Sequence, residues 1–472
     1  MKSEIKHARF PGNLVMVGFG SIGQAILPLL FRHFEIHPEQ IRIITADENG
    51  AAIAQKYGIA FMRCPLMNNN YRTVLEPCLG KGDFLLNLSV DVSSLALIEL
   101  CRQHDALYLD TCIEPWAGGY TDTSKPASQR TNYSLREEVL SFGRAHGPGP
   151  TAIITQGANP GLASAFVKQA LLDIALANGE ALNVPATREA WARLACQHGI
   201  KVIHIAERDT QATAQRKQRD EFVNTWSAAG FIGEGLQPSE LGWGTHERHW
   251  PADGARHGFG CDAAIYLNRP GAATRVRSWT PLAGSYHGFL ITHSESISIA
   301  DYLTLRENGA VLYRPTVHYS YYPCDDAVLS LHEMAGRQWQ PQSNRRIIRD
   351  EINAGMDELG VLLMGNTKGI YWYGSRLSIE QARQLAPYNN ATSMQVAAGV
   401  LAGVVWALRN PRAGVVEPDD LDHNLILEIA KPYLGQLIGA YGDWTPLHGR
   451  GWLFSEELDQ DDPWQFKNIR VT

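Results

Sequence analysis

Three glycines with the spacing of a dinucleotide-binding loop follow an apolar run near the start of the chain. The run Leu14–Val17 leads into Gly18, Gly20 and Gly23, and a helix-compatible stretch, 24–34, comes next. In such a loop Gly18 permits a tight turn, Gly20 lets the backbone approach a pyrophosphate, and Gly23 lets the helix pack on the strand. The N-terminus of the helix then faces the anion, and we expect Ser21 and Ile22 to contact it.

An acidic residue stands where this kind of fold binds a ribose. A second apolar run, Ile41–Thr45, ends close to Asp47, which lies 24 positions after Gly23. A carboxylate at this place bonds the ribose hydroxyls of NAD and repels the 2′-phosphate of NADP. An ordinary glycine turn with a surface aspartate is the alternative. The order of strand, glycines, helix and acid predicts that the chain binds NAD.

Polar residues follow two further strands that the sequence predicts in its first third. Apolar runs at 83–89 and 106–110 alternate with helical stretches, which is typical of a doubly wound parallel sheet. Ligands of such sheets lie beyond the carboxyl ends of the strands. Each cluster taken alone fits a plain turn equally well. Together they predict contacts with the cofactor from these residues: Ser89, Val90, Asp91, Asp110, Thr111 and Cys112.

A proline-, glycine- and serine-rich stretch, 116–132, and a second at 147–150 predict a long excursion and a linker. The predicted strand 151–155 follows, and a helix is expected to run to about Leu176. Pro160 suits the first turn of that helix and Asn159 suits its N-cap. In the alternative interpretation the start of this helix faces the nicotinamide, with Thr155, Asn159 and Pro160 at the cofactor and the Asn159 side chain at the substrate.

The second half of the chain has a different pattern. Strand-like runs between about 180 and 375 are joined by long glycine- and aromatic-rich loops, which predicts an α+β substrate and dimerisation domain with a mixed or antiparallel sheet. Helical segments near the C-terminus are expected to return to the first domain. We therefore divide the 472 residues into a dinucleotide-binding domain (1–155), a substrate domain (156–375) and a C-terminal helical segment (376–472).

Composition favours a cytoplasmic enzyme. The net charge is −7 and no basic tract occurs, which argues against nucleic acid as a partner. The seven cysteines are scattered without C-x-x-C spacing, so we expect reduced thiols and neither disulfides nor a zinc or other metal site. The polar N-terminus does not resemble a signal peptide, and the apolar stretch 394–408 is too short to span a bilayer.

Six motifs between residues 18 and 235 carry a resemblance to one enzyme family, and the resemblance extends over essentially the whole chain. They are Gly18–Gly23, Asp110–Trp116, Thr155–Gly161, Ala206–Thr210, Asn224–Ser227 and Phe231–Gly235. Together they are similar to the motifs of bacterial homospermidine synthases, a branch of the saccharopine dehydrogenase-like enzymes. The resemblance implies a homodimer with a dinucleotide-binding domain and an inserted α+β domain. It also implies that two putrescines give homospermidine and ammonia, with NAD held as a prosthetic group.

The resemblance assigns residues to the binding of a diamine, which carries two ammonium groups at neutral pH. Glu207 and Glu234 would be the anchoring carboxylates, and Glu234 would also accept protons. Trp226 would offer its ring face to a transient cation beside the reacting nitrogen. Without the resemblance, Glu207 would be read as a solvated carboxylate and Trp226 as a core residue.

Three more polar residues complete the expected site. His293 has an ordinary pKa near neutrality and would shuttle protons or bind the amine. Asn159 and Asp91 would complete the polar face near the nicotinamide. Cys112 would line the cofactor pocket, because no partner pattern supports a nucleophilic role for it.

Two other functions remain open from the sequence. A saccharopine or carboxynorspermidine dehydrogenase-type enzyme would need arginine forks for a substrate carboxylate, and Arg208 and Arg306 are candidates. A non-catalytic NAD-binding regulator would leave the two acids and the histidine unexplained.

Overall fold

A computed structural model describes residues 6–181 and 183–471 of the chain. Its α-helices are α1 (Ser21–His33), α2 (Ala51–Tyr57), α3 (Tyr71–Leu75), α4 (Ser94–Gln103), α5 (Asn132–His146), α6 (Leu162–Ala177), α7 (Arg188–Gln197), α8 (Ala228–Leu236), α9 (Ser294–Tyr302), α10 (Asp325–Gly336), α11 (Ile379–Leu385), α12 (Ala391–Arg409), α13 (His423–Ala430) and α14 (Phe466–Ile469). Its strands are β1 (Ala8–Arg9), β2 (Leu14–Val17), β3 (Phe34–Glu35), β4 (Ile41–Thr45), β5 (Ala60–Arg63), β6 (Phe84–Asn87), β7 (Leu107–Asp110), β8 (Ala152–Ile153), β9 (Val202–Asp209), β10 (Ala212–Thr213), β11 (Glu221–Asn224), β12 (Pro238–Gly242), β13 (Gly254–Arg256), β14 (Ala264–Pro270), β15 (Arg275–Thr280), β16 (Gly284–Phe289), β17 (Leu305–Glu307), β18 (Ala310–Tyr313), β19 (Thr316–Tyr322), β20 (Asn344–Ile347), β21 (Ile352–Ala354), β22 (Met356–Asn366), β23 (Gly369–Ser378), β24 (Val415–Val416), β25 (Gln436–Gly442) and β26 (Arg470–Val471).

The N-terminal sheet is parallel throughout and has the order β24-β8-β7-β6-β2-β4-β5. Its central strands β2 and β6 are apolar and buried, as expected where helices cover both faces of a sheet. The strand order reverses at β2, which lies between β4 and β6. In open α/β sheets a ligand binds in the crevice at this reversal. The predicted doubly wound parallel sheet is confirmed.

The second sheet has eleven strands and is mixed. Strand β9 lies at its centre, parallel to β19 on one side and antiparallel to β22 on the other. The two longest strands, β22 and β23, pair antiparallel, and α6 packs against them. The predicted α+β domain with a mixed sheet is confirmed. Strand β9 carries Glu207 close to its carboxyl end.

The C-terminal part of the chain joins both sheets. Strand β24 extends the parallel sheet beside β8, whereas β25 pairs with β23 and β26 with β15 in the second sheet. Helix α12 packs between α1 and α13. It is long and apolar enough to cross a membrane, but 83% of its apolar window is buried inside the structure, as in a core helix. The division of the chain at 155 and 375 stays a prediction.

Two local features differ from the sequence interpretation. Helix α6 begins at Leu162 with Gly161 as its N-cap, so the prediction that Asn159 caps it is wrong. The Asn159 amide instead donates to Glu207, because the chain 157–161 turns toward the second sheet before the helix starts. Helix α5 occupies the stretch between the two predicted loops. The Thr131 side chain caps it, accepting from the Ser134 N–H.

Candidate active site

The glycine loop between β2 and α1 has the geometry that its spacing predicts. Gly18 has φ +87°, and a Cβ there would come 2.7 Å from the Leu88 carbonyl oxygen, so a side chain is excluded on both counts. A Cβ on Gly20 would meet no atom within 4 Å, so its backbone faces open space. A Cβ on Gly23 would lie 2.9 Å from the Gly18 oxygen, because the helix starts close to the strand.

The N-terminus of α1 is prepared for an anion. Its N-cap, Gly20, supplies no side-chain acceptor, and its first turn contains no acidic residue. The Ser21 hydroxyl is buried, and it has no hydrogen-bond partner among the described residues. Asp47 is exposed two residues beyond the end of β4, where its Oδ1 accepts the Asn49 N–H at 2.8 Å. These residues fit the pyrophosphate and the ribose of a dinucleotide.

The polar residues after β6 and β7 have separate roles. Asp91 has φ +63° and is exposed, as is Val90, while the Ser89 hydroxyl donates to Asn87. Asp110 is fully buried, and its two oxygens accept the Tyr108 hydroxyl at 2.7 Å and the Thr155 N–H at 2.6 Å. The structure therefore does not bring Asp110 or Thr155 to the cavity described next. Their contact ties the ends of β7 and β8 together.

A cavity lies between the glycine loop and the second sheet. The residues that line it are Ile22, Thr111, Cys112, Gly157, Ala158, Asn159, Pro160, Glu207, Trp226, Glu234, His293, Tyr319, Thr392 and Val396. Six segments from residue 207 onward thus meet the start of α1, namely β9, the turn after β11, α8, the start of α9, β19 and α12. The sequence predicted nine of these residues as site residues, namely Ile22, Thr111, Cys112, Asn159, Pro160, Glu207, Trp226, Glu234 and His293.

Glu207 is the buried carboxylate at the centre of this cavity. Its Oε2 accepts the Asn159 amide at 2.7 Å and the Tyr319 hydroxyl. Burial raises the pKa of Glu207 to about 7, although both hydrogen bonds act in the opposite direction. The Glu207 carboxyl group therefore titrates near neutral pH.

Two further acids, Asp209 and Asp357, lie next to Glu207 in the second sheet. Asp209 accepts the Thr225 hydroxyl at 2.8 Å, and Asp357 accepts the Thr392 hydroxyl at 2.5 Å. Both carboxyl groups are fully buried. Burial raises the pKa of Asp357 well above its ordinary value, and the neighbouring Glu207 and Asp209 raise it further. The interior behind the cavity therefore carries negative charge whenever these acids ionise.

Glu234 and His293 also line the cavity. Glu234 lies on α8 and His293 is the N-cap of α9, and the His293 Nε2 is 3.1 Å from Glu234 Oε2. Burial raises the pKa of Glu234, and the nearby His293 opposes the rise. The other ring nitrogen, Nδ1, lies 3.2 Å from Glu295 Oε1. His293 is therefore held between two carboxylates.

Aromatic rings complete the wall. Trp226 follows β11, is half-buried, and packs on Phe231 at 5.9 Å between ring centroids. The Tyr319 ring on β19 packs against His293, with the ring centroids 4.4 Å apart and the ring planes tilted by 34°. A tryptophan face beside carboxylates is a typical receptor for an ammonium group. Burial raises the pKa of the Cys112 thiol well above its ordinary value, and the neighbouring Glu114 raises it further, so this thiol stays protonated.

Family models cover most of the chain in two parts. Residues 14–153 match the saccharopine dehydrogenase NADP binding domain, and residues 157–443 match the saccharopine dehydrogenase C-terminal domain. A homospermidine synthase of Blastochloris viridis is 54% identical over 468 residues, 98% of each chain. One of Mesorhizobium japonicum is 50% identical, over 98% of this chain and 97% of its own. The chain belongs to the homospermidine synthase family.

A solved homospermidine synthase has nearly the same structure. The enzyme of Legionella pneumophila, described as a complex with NAD, superposes with a TM-score of 0.92 at 52% identity, covering 98% of both chains. The glycine loop and the cavity are therefore parts of one enzyme of the homospermidine synthase family.

The arginines that a saccharopine dehydrogenase-type site would need are elsewhere. Arg208 points away from the cavity, with its guanidinium 3.8 Å from the Tyr322 ring and a hydrogen bond to the Pro323 carbonyl at 3.0 Å. Arg306 is exposed on β17. Among the described residues, no lysine or arginine lines the cavity. This arrangement disfavours a substrate that carries a carboxylate.

Sequence reasoning missed several residues of this homospermidine synthase-family site. Glu114 is buried, its Oε2 accepts the Asp91 N–H at 3.3 Å, and burial raises its pKa well above the ordinary value. Glu114 lies inside the 110–116 motif, so the motif could have identified it as a site residue. Tyr319, Asp357 and Thr392 carried no signal, because long-range strand and helix packing brings them to the site, whereas Glu295 lies only two residues after the predicted His293.

Proposed function

We propose that this protein joins two putrescine molecules to sym-homospermidine and releases ammonia, using NAD without net consumption. The observation that carries the proposal is the charge of the cavity. Its wall holds Glu207, Glu234 and Trp226, whereas His293 is the only residue with a basic side chain among the described lining residues. A diamine with two ammonium groups complements this wall. Family membership supports the same conclusion.

The residues at the start of α1 would hold NAD. The open space at Gly20, the unpartnered Ser21 hydroxyl and the helix N-terminus suit the pyrophosphate, and Asp47 suits the ribose. Because a carboxylate repels a 2′-phosphate, Asp47 supports NAD over NADP, although the matching family model is described as NADP-binding. NAD bound here would supply a hydride acceptor and, later in the same cycle, a hydride donor.

The two cavity glutamates would divide the work on the diamine. Glu207, held by Asn159 and Tyr319, would anchor an ammonium group, since its oxygens face the cavity from a rigid central strand. Glu234 would accept the proton that the reacting nitrogen must lose before its carbon can be oxidised. Glu114 and Asp91 lie next to the same region and would add negative charge at the far end of the diamine.

Trp226 would steady the cationic nitrogen while the amines exchange. The oxidised carbon of the first putrescine is attacked by the amine of the second, and the original nitrogen leaves as ammonia. The positive charge on nitrogen during this exchange can lie over the indole face, an interaction of about 2 kcal/mol or more when it is desolvated. Trp226 therefore acts on the transient cation and the glutamates act on the standing ammonium groups.

We also infer a homodimer in the cytoplasm. The resemblance of the motifs supports the dimer, and the scattered cysteines of the chain support a reducing compartment. The division into domains 1–155, 156–375 and 376–472 belongs to the same proposal. Sedimentation of the purified protein measures the oligomeric state directly.

The experiment that tests the function is an assay of the purified protein with putrescine and no added reductant. We expect one ammonia for each homospermidine formed and no net NADH. An ordinary dehydrogenase would instead accumulate NADH in proportion to turnover. A regulator without activity would release no ammonia.

A further inference from the structure

His293 lies in a row of three buried polar groups that come from two helices. Glu234 on α8 and Glu295 in the first turn of α9 are on opposite sides of the ring, at 3.1 Å from Nε2 and 3.2 Å from Nδ1. All three side chains are more than nine-tenths buried. Glu234 and His293 line the cavity, whereas Glu295 lies behind them. Its second oxygen is buried without a hydrogen-bond partner among the described residues.

The geometry constrains the protonation of the ring. A neutral imidazole has one N–H, so it can donate to one carboxylate only and would turn a lone pair toward the other. Both nitrogens of His293 face carboxylate oxygens within hydrogen-bond distance. Burial lowers the pKa of His293, but Glu295 and Glu234 outweigh it and raise the pKa to about 10.

The charged and titratable groups around His293 come from every element packed against it. Glu234 is on α8, Glu295 is on α9, Glu207 is on β9, and the Tyr319 ring on β19 covers one face. Each carboxylate among them favours the charged ring. No described lysine or arginine lines the cavity that His293 faces.

We infer that Glu295 is a positioning residue that keeps His293 a permanent imidazolium and so gives the row Glu234–His293–Glu295 one net negative charge. An imidazolium has no lone pair, so His293 cannot take the substrate's proton and Glu234 must be the acceptor. The single remaining charge attracts one ammonium group to Glu234. The role in catalysis rests on the proposed function, whereas the protonation of the ring does not.

The first test is a spectroscopic one on the full-length resting protein. In protein labelled with ¹⁵N-histidine, the His293 resonances are assigned by their loss in His293→Asn. We expect both ring nitrogens to carry protons at pH 8 in the wild type. In Glu295→Gln the ring should titrate at a pH lower by about 1–3 units, because one facing charge is gone. Glu295→Asp, which keeps the charge, should restore much of the difference.

The second test is the pH profile of kcat/KM for ammonia release from putrescine. The alkaline limb of the kcat/KM profile should lie at lower pH in Glu295→Gln than in the wild type, by the same amount as the titration of the His293 ring. Glu247→Gln is the matched control: Glu247 is also buried, lies 3.5 Å from a histidine, His246, and accepts the Phe466 N–H away from the cavity. That variant should leave both the His293 resonances and the limb in place.

A neutral His293 ring in the wild type at pH 8 would overturn the inference, whatever the variants do. So would a ring whose titration is the same in Glu295→Gln and the wild type. If Glu295→Gln does not fold, the wild-type spectrum and Glu295→Asp still decide. Should the protein release no ammonia while the ring is charged and dependent on Glu295, the proposed function fails and the protonation inference stands.

Discussion

Replacement of Glu207 by glutamine distinguishes a functional carboxylate from a structural one, because the two roles predict opposite changes in stability. The side chain is 1% exposed, and a glutamine oxygen can still accept from Asn159 and Tyr319. The substitution thus removes the charge and keeps the shape.

The magnitude follows from the raised pKa of this group. The folded protein binds the Glu207 proton more tightly than the unfolded chain does, so the stability that this group contributes is fully present below pH 4.5 and is lost as the pH rises through about 7. At 1.36 kcal/mol for each pH unit, the rise from 4.5 to about 7 amounts to about 3 kcal/mol at pH 8. Glu207→Gln escapes this loss, so the resting protein should be stabilised by up to about 3 kcal/mol.

Activity should change in the other direction. Loss of one partner of a buried charged pair costs about 3–5 kcal/mol, so turnover of putrescine should fall at least about a hundredfold. The acid limb of the wild-type profile near pH 7 should disappear in the variant. Thermal unfolding at pH 8 and pH 5 and ammonia release are measured on the same preparations. Glu247→Gln is the control, because burial also raises the pKa of Glu247 to about 7 but its carboxylate bonds Thr316 and Phe466 outside the cavity.

Two results would refute this reasoning. Near-wild-type turnover in Glu207→Gln would mean that the carboxylate anchors no ammonium group. A lower melting temperature at pH 8, with activity lost in parallel, would mean that Glu207 stabilises the fold and that its effect on turnover is indirect.

Three further predictions concern the cofactor and the cavity wall. The protein should bind NAD more tightly than NADP, and Asp47→Ala should reduce the difference between the two affinities. Binding titrations with both dinucleotides measure this difference. Equal affinities in the wild type would contradict the role of Asp47. Glu234→Gln should lower turnover by two orders of magnitude or more, by the same loss of about 3–5 kcal/mol, while circular dichroism stays unchanged. Trp226→Phe should keep partial activity, Trp226→Ala much less, and Trp226→Glu should bind diamine without effective turnover, since a phenyl face is weaker than an indole face. Turnover that merely follows melting temperature across the three Trp226 variants would make this residue a core residue, for which about 3–5 kcal/mol is expected on truncation.

The part of the fold that local sequence determines could be predicted. Strand β4 has the bounds of the apolar run that predicted it, Ile41–Thr45, because a local stretch of apolar residues is enough to mark a buried strand. The glycine loop was predictable for the same reason, since its function requires glycine at fixed spacing.

The remainder depended on contacts between distant residues. Asn159 satisfies every local rule for an N-cap, yet its side chain donates a hydrogen bond to Glu207, which is 48 residues away. Glu295 follows His293 by only two residues, but Glu234 is 59 residues away and reaches the ring only through the fold, with its Oε2 3.1 Å from Nε2. Asp110 was expected at the cofactor, and that role stays a prediction; no pattern in the sequence indicates that its Oδ1 accepts the N–H of Thr155, which follows β8.

The return of the chain to the N-terminal sheet has a consequence during synthesis on the ribosome. Strand β8 ends at Ile153, but its outer neighbour β24 begins at Val415. At about 5–20 residues per second, the ribosome needs roughly 13–50 s to make the 262 residues between these two positions. During this interval the free edge of β8 and the apolar surface that α12 later covers are exposed. We therefore expect nascent chains of this length to bind chaperones. We expect a fragment that ends at residue 155 to aggregate when it is expressed alone, and co-expression with residues 376–472 to increase its solubility.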